Sequence, residues 1–218
     1  MQSRSYNQFC ALAAGLDVIG ERWNLLIIRE LLPGPRRFKD LVDGLPGIST
    51  NLLSERLKEL EQHGVLCRRV LPPPSGAAVY ALTPAGEALE SAVLELGKWG
   101  SRWLPPSLEG IHPPSVGAIS LALKAFFHPE AARGVQATYG LCFGTESLQV
   151  HVSDGRLDVQ QGEAPQPRAV FYTDMPSFLG LFTGQLQPDQ ALAAGLVRVE
   201  GDPDDLRQFF SVCRVPAA

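Results

Sequence analysis

Residues 47–69 read GISTNLLSERLKELEQHGVLCRR, and this stretch decides what the first half of the chain is. Ser49 or Thr50 can start a helix, because a hydroxyl there accepts from a backbone N–H that the first turn leaves without a partner. Leu53, Leu57 and Leu60 recur at helical spacing and make one apolar stripe. At about 100° per residue, Asn51, Ser54, Glu55 and Lys58 project from the opposite side. Gly64 ends the helix where a positive φ is wanted. Residues 65–71 then read as a strand, 72–76 as a turn and 77–82 as a second strand. A helix with a hydrogen-bonding outer face, followed at once by a hairpin, suits a DNA major groove, which admits one helix. An ordinary amphipathic helix and hairpin would show the same pattern, so the flanking sequence has to discriminate.

Upstream, residues 6–19 form a mostly apolar helical stretch that Gly20 interrupts. ERWNLLIIRELL follows as a second helix, with Trp23, Leu25, Leu26, Ile27 and Leu31 as core or interface candidates. The Pro-Gly-Pro at 33–35 turns the chain. RRFKDLVDGL is a short third helix with Phe38, Leu41 and Val42 facing inward. Downstream, Thr83-Pro84 starts a helix running from about residue 85 towards Trp103, with Leu89, Val93, Leu96 and Trp99 on one side. Three helices, a reading helix and a hairpin make a mostly α winged helix-turn-helix. The first and last helices of so small a domain have nowhere of their own to bury their stripes. A symmetric homodimer built from these two is the expected answer.

The 218 residues, 45% of them hydrophobic, allow one large or two small domains. No run approaches the ~18 apolar residues of a membrane span, and the N-terminus lacks the apolar segment of a secretory signal. Cys10, Cys67, Cys142 and Cys213 lie far apart, as reduced thiols would, and a cytoplasmic protein is expected. The net charge of −4 does not advertise nucleic acid, but it is unevenly spread. Up to Trp103 there are 12 basic against 11 acidic residues, and beyond it 7 against 12. Local charge governs phosphate contact more than the total does.

Residues 104–115, LPPSLEGIHPPS, are proline-rich and without periodicity. They divide the chain into an expected DNA-binding and dimerisation domain at 1–104, a linker at 105–115 and a second domain at 116–218. The second domain reads as α+β. A helix (VGAISLALKAFF) precedes strands near 135–143, 147–153, 156–160 and 168–173, with Asp154-Gly155 as a hairpin turn. Helices at MPSFLGLFTG and near 188–194, a strand (LVRVEG) and a closing helix capped by Asp202 complete it.

The first half resembles the HxlR-type transcriptional regulators, a winged-helix family related to MarR-type proteins. The matching segments are Cys10, LDVIGERWNLLIIREL, GPRRF at 34–38, LPGIS at 45–49, RLKELE at 56–61, GVLCR at 64–68 and YALTPAG at 80–86, together spanning about residues 6–100. The resemblance implies dimeric, sequence-specific binding to double-stranded DNA at a palindromic operator. One departure stands out: the wing tip, PPPSGAA, carries no charge where such proteins often have a basic residue, so Arg68 and Arg69 at its base must supply phosphate contact. The second half is similar to sterol carrier protein type two domains, on AVFYTDMPSFL at 169–179, TGQLQPDQA at 183–191 and VRVEGD at 197–202. That resemblance implies a sterol-carrier-like α+β fold around an apolar tunnel for a small hydrophobic ligand. Phe178, Leu179, Leu181, Phe182, Leu192, Phe209 and Phe210 are its candidate lining, with a closed core as the alternative.

On this reading Thr50, Asn51, Ser54, Glu55 and Lys58 face the bases. Ser49, Arg36, Arg37, Lys39, Arg56, Arg68 and Arg69 contact phosphate or position the helix, Arg56 alternatively through an internal ion pair. Cys10 sits where some HxlR-type proteins carry a redox-sensing thiol. Its neighbours Phe9, Ala11 and Leu12 lack charge, which favours a buried structural thiol. The four histidines share no spacing with one another or with cysteine, and no nucleophile context or phosphate loop is present. No enzyme, metal or cofactor is therefore expected. The reading is a homodimeric DNA-binding regulator controlled by a hydrophobic ligand. The alternative is a lipid-binding protein whose winged helix serves dimerisation only.

Overall fold

Helix α1 (Ala11–Ile19) begins five residues later than the apolar pattern predicts. The segment before it is drawn back onto the helix instead: Ser5 Oγ donates to Asp17 Oδ2 (2.8 Å) and the Tyr6 N–H to Asp17 Oδ1 (2.9 Å), with Asn7 turned to a positive φ of 49°. A computed structural model describes residues 5–105 and 110–215 of the chain, so residues 106–109 of the expected linker lie outside the described residues. Two compact units result, Met1–Val93 and Leu94–Ala218.

In the first unit, α2 (Asn24–Leu31), α3 (Phe38–Gly44) and α4 (Thr50–Gln62) follow α1. The corner into α2 is sharp, since Trp23 adopts a left-handed φ of 86° and the buried Asn24 donates from Nδ2 to the Val18 carbonyl (3.2 Å). Ile27, Ile28, Leu31, Leu41, Leu53, Leu57 and Leu60 form the core. Strands β1 (Leu66–Val70) and β2 (Ala78–Leu82) pair antiparallel, with Leu66 opposite Leu82 and Val70 opposite Ala78. Arg36 adds a one-residue third rung to the wing: its N–H and C=O exchange hydrogen bonds with Tyr80 at 2.9 and 2.8 Å.

The single helix expected beyond the wing is interrupted. It divides into α5 (Pro84–Glu87), α6 (Glu90–Gly100) and a 3₁₀ turn at Ser101–Trp103. The break follows from how α5 is seated. Thr83 Oγ1 accepts the Gly86 N–H (3.3 Å) and donates to the Gly64 and Val65 carbonyls. Gly86 lies so close to the Val65 carbonyl that a Cβ there would sit 2.1 Å from its oxygen.

The second unit is a five-stranded sheet with helices packed against one face. Helix α7 (Val116–Ala125) is capped by Ser115, whose Oγ accepts the Ala118 N–H (3.1 Å). Strands β3 (Gln136–Phe143), β4 (Glu146–Ser153), β5 (Arg156–Gln161), β6 (Ala169–Thr173) and β7 (Val197–Glu200) assemble in the order β5-β4-β3-β6-β7. All neighbours are antiparallel except β3 and β6. Helices α8 (Met175–Thr183), α9 (Pro188–Ala193) and α10 (Asp204–Val212) complete the unit. The Asp202 carboxylate accepts the Asp204 N–H at the start of α10 (3.0 Å). Alternate residues of the strands, among them Tyr139, Leu141, Leu148, Val150, Val159 and Phe171, face a core completed by Ile119, Leu123, Phe178, Leu206 and Phe209.

At the centre of that core is a continuous set of rings. Phe209 packs on Tyr139, Phe171 and Phe210 with centroids 5.1–5.5 Å away, and Phe178 on Phe143, Phe182 and Phe210 at 5.3–5.8 Å. Burial pushes the hydroxyl of Tyr139 up to about 12, with the Asp205 carboxylate adding to the effect. Phe209→Ala should destabilise the second unit by about 3–5 kcal/mol. Hydrogen exchange of the β3 and β6 amides checks this, and protection there should fall while that of α2 and α4 is retained.

Candidate nucleic-acid interface

Helix α4 is built to present one face. Ser49 caps it, its Oγ accepting the Leu52 N–H at 3.2 Å. Gly47 (φ 92°) and Gly64 (φ 71°) supply the left-handed turns at entry and exit. Leu53, Leu57 and Leu60 are buried, which leaves Thr50, Asn51, Ser54, Glu55 and Lys58 exposed together on the outer side. Glu55 is not free to act alone, since its Oε1 lies 3.1 Å from Arg56 Nη2.

The basic residues sort by burial. Arg56 is nearly buried, and its guanidinium is ringed by Glu59 (2.7 Å), Glu55 (3.1 Å) and Glu21 (3.5 Å). It joins α4 to the α1–α2 corner and falls on the positioning side of the expectation. Arg36 does the same: only 2% exposed, it pairs by backbone with Tyr80, and its Nη2 lies 3.9 Å from Glu30 Oε2. Neither presents its charge to a phosphate in this conformation. Arg37, Lys39, Lys58, Arg68 and Arg69 are exposed, at the start of α3, along α4 and on β1. The Arg68 guanidinium lies over the Tyr80 ring (5.4 Å), and Arg69 Nε contacts Cys67 Sγ at 3.3 Å. The uncharged wing tip borrows a charge, because Arg37 Nη2 donates to Ser75 Oγ (3.3 Å).

Sequence reasoning missed what holds this surface in place. Glu30 is fully buried, and Arg29 grips its Oε1 with both Nη2 (2.6 Å) and Nε (3.0 Å). Its other oxygen occupies the space where a side chain of Gly44, the last residue of α3, would begin: a Cβ there would sit 2.6 Å away. The signal available was an acidic residue inside the apolar run IIREL, six residues before an arginine pair.

The remaining candidates divide. Cys10, expected to be buried, is exposed; it sits at the N-cap of α1. Of the suggested ligand lining, Phe178, Phe182, Phe209 and Phe210 are buried core residues joined by ring contacts and Leu181 is buried with them, while Leu179 and Leu192 are half-buried beside them. His128 and His151 each have a hydrogen-bond partner distant in sequence, the Arg214 carbonyl (2.9 Å) and Thr138 Oγ1 (3.0 Å). Among the described residues no helix is long and apolar enough to cross a membrane.

Residues 18–108 match the model of the HxlR-like helix-turn-helix family. The chain is 40% identical over 101 residues to the HTH-type transcriptional regulator YodB of Bacillus subtilis, covering 46% of this chain and 90% of that protein. The chain belongs to the HxlR-like helix-turn-helix family. YvaP of the same organism, described as an uncharacterized HTH-type transcriptional regulator, is 42% identical over 92 residues, or 42% of this chain and 85% of YvaP. The solved reduced form of YodB is 39% identical, covering 46% of this chain and 99% of that one, with a TM-score of 0.39. Outside the HxlR-like part, residues 128–214 match the SCP-2 sterol transfer family.

Two outcomes follow from this geometry. Gly44→Ala should lower thermal stability by about 1–3 kcal/mol, because the added methyl displaces a buried carboxylate. In the native protein a maleimide should label Cys10 rapidly and leave Cys213 unmodified, since Cys213 is buried and its thiol is pushed up to about 12 by burial. Mass spectrometry of the labelled peptides reads both rates.

Proposed function

We propose that the protein is a homodimeric regulator of transcription that reads a palindromic operator with α4. The observation that carries this is the exposed row Thr50, Asn51, Ser54 and Lys58 on a capped helix, flanked by the exposed cations Arg37, Lys39, Arg68 and Arg69. Asn and Lys side chains pair with base edges in the major groove, and the arginines hold phosphates. Glu55 reads a base only by giving up its contact with Arg56. The names of the YodB and YvaP relatives support the same reading.

A dimer is supported by apolar surface that a monomer would leave in water. On the arm and α1, Phe9 and Leu12 are exposed. On α6 and the turn after it, Leu96, Trp99 and Trp103 are exposed, the two indoles 4.2 Å apart. Two copies of α4 would then enter successive major grooves about one helical turn (~34 Å) apart.

A hydrophobic effector in the SCP-2-like unit is the second element of the proposal. Such a ligand would lie beside the rings of Phe178 on α8 and Phe210 on α10, whose centroids are 5.8 Å apart. It regulates only where its affinity differs between DNA-competent and incompetent states. The carrier alternative draws on the SCP-2 match, and the polar row on α4 weighs against a winged helix used for dimerisation alone. Cys10 enters as an accessible thiol: alkylation that shifts DNA affinity makes it a sensor, and alkylation without effect makes it a bystander.

The test is a salt series of binding to DNA from upstream of the gene, against unrelated DNA. A preference of about 10³-fold or more is expected. Lys58→Ala should weaken operator binding and relax its sequence preference. Arg37→Ala should weaken both DNAs alike and reduce the slope of log K against log salt by about 1. Wild-type affinity and slope in both variants would remove this surface from the reading.

A further inference from the structure

A cleft of about 390 Å³ lies where the N-terminal arm meets the α1–α2 corner, lined among the described residues by Ser5, Tyr6, Leu16, Asp17, Gly20 and Glu21. Its volume falls in the range of small-molecule sites, and its described lining carries charge of one sign. Asp17 and Glu21 bring two carboxylates, and none of the described lining residues is cationic. Tyr6 and Leu16 add an apolar wall, which a bare metal ion would not use.

Both carboxylates have capacity left for a donor. Asp17 accepts one hydrogen bond on each oxygen, from Ser5 Oγ and the Tyr6 N–H, out of about four lone-pair sites. Glu21 is half exposed, and its contact with Arg56 is long, at 3.5 Å. Arg56 holds Glu59 and Glu55 more closely, at 2.7 and 3.1 Å. Glu21 can therefore turn towards a ligand without leaving the Arg56 charge unpaired.

We propose that this cleft binds a small organic cation, a protonated amine with an apolar body, its ammonium on Asp17 and Glu21 and its body against Tyr6 and Leu16. Because Glu21 is also a tether of α4 through Arg56, an amine that takes Glu21 loosens the reading helix from the α1–α2 corner and lowers DNA affinity. By linkage, DNA lowers amine affinity by the same factor. The binding site stands on the cleft alone; only the coupling rests on the proposed reading of DNA.

The experiment is an amide-resolved NMR titration of the full chain with benzylammonium chloride, with benzyl alcohol as the neutral isostere. Saturable shifts at Ser5, Tyr6, Asp17, Gly20 and Glu21 are expected for the ammonium and not for the alcohol. Glu21→Gln should weaken binding roughly threefold, and Glu21→Gln with Asp17→Asn roughly tenfold, as for partly exposed charge pairs. Thermal unfolding and the α2 and β3 amides confirm that the variants remain folded. Equal shifts with the alcohol, shifts that do not saturate, or unchanged binding in Glu21→Gln overturn the site. Saturable binding that leaves the affinity for operator DNA unchanged overturns the coupling and leaves the site standing.

Discussion

The arrangement of the first unit depends on a carboxylate with no access to water. Glu30 is fully buried in α2, and an isolated charge in that position would cost several kcal/mol. Arg29 takes one of its oxygens, Arg36 lies beside the other, and the bare backbone of Gly44 makes room for the group. Arg36 is at the same time the residue that hydrogen-bonds the wing strand at Tyr80. One buried anion therefore sets the mutual placement of α2, α3 and β2. Breaking such a pair on one side costs more than never having built it, about 3–5 kcal/mol, because the other charge stays buried.

A second ion cluster does for α4 what Glu30 does for the wing. Arg56 is nearly desolvated among three carboxylates, two from its own helix and one from the α1–α2 corner. The helix that carries the polar row is thus held by its inner face through leucines and along its flank through charge. The result is a division of labour among arginines of identical chemistry. Arg36 and Arg56 orient the surface from inside, and Arg37, Arg68 and Arg69 remain in water where a polyanion can reach them. Such exposed cations work through long-range, salt-sensitive attraction, which the acidic second half would oppose if it approached the duplex.

The second unit follows a different rule, with few buried charges and many buried rings. Asp205 is the exception: burial pushes its carboxyl up against the pull of Arg168, whose Nε lies 2.7 Å away. In the unit's core Tyr139, Phe171, Phe178, Phe209 and Phe210 make edge and tilted contacts between sheet and helices. The match to a sterol-transfer family does not by itself carry a ligand with it.

Much of the molecule was determined by the sequence alone, where the cause is local. The stripe Leu53, Leu57, Leu60, the Ser49 cap and the Gly64 turn are short-range properties, and so are the Asp154-Gly155 hairpin and the strand alternation of the second unit. The outer row of α4 followed from them, because helical periodicity decides which side chains face away from buried leucines. The start of α1, the break between α5 and α6, the exposure of Cys10 and the sorting of the arginines were decided only by the tertiary structure. Each depends on a partner distant in sequence: Asp17 for the arm, the Val65 carbonyl for Gly86, Glu30 and Tyr80 for Arg36, Glu21 for Arg56. An arginine's charge can be read from one letter, but whether it faces water or a buried carboxylate is settled by which residues the folded chain brings within a few ångströms of it.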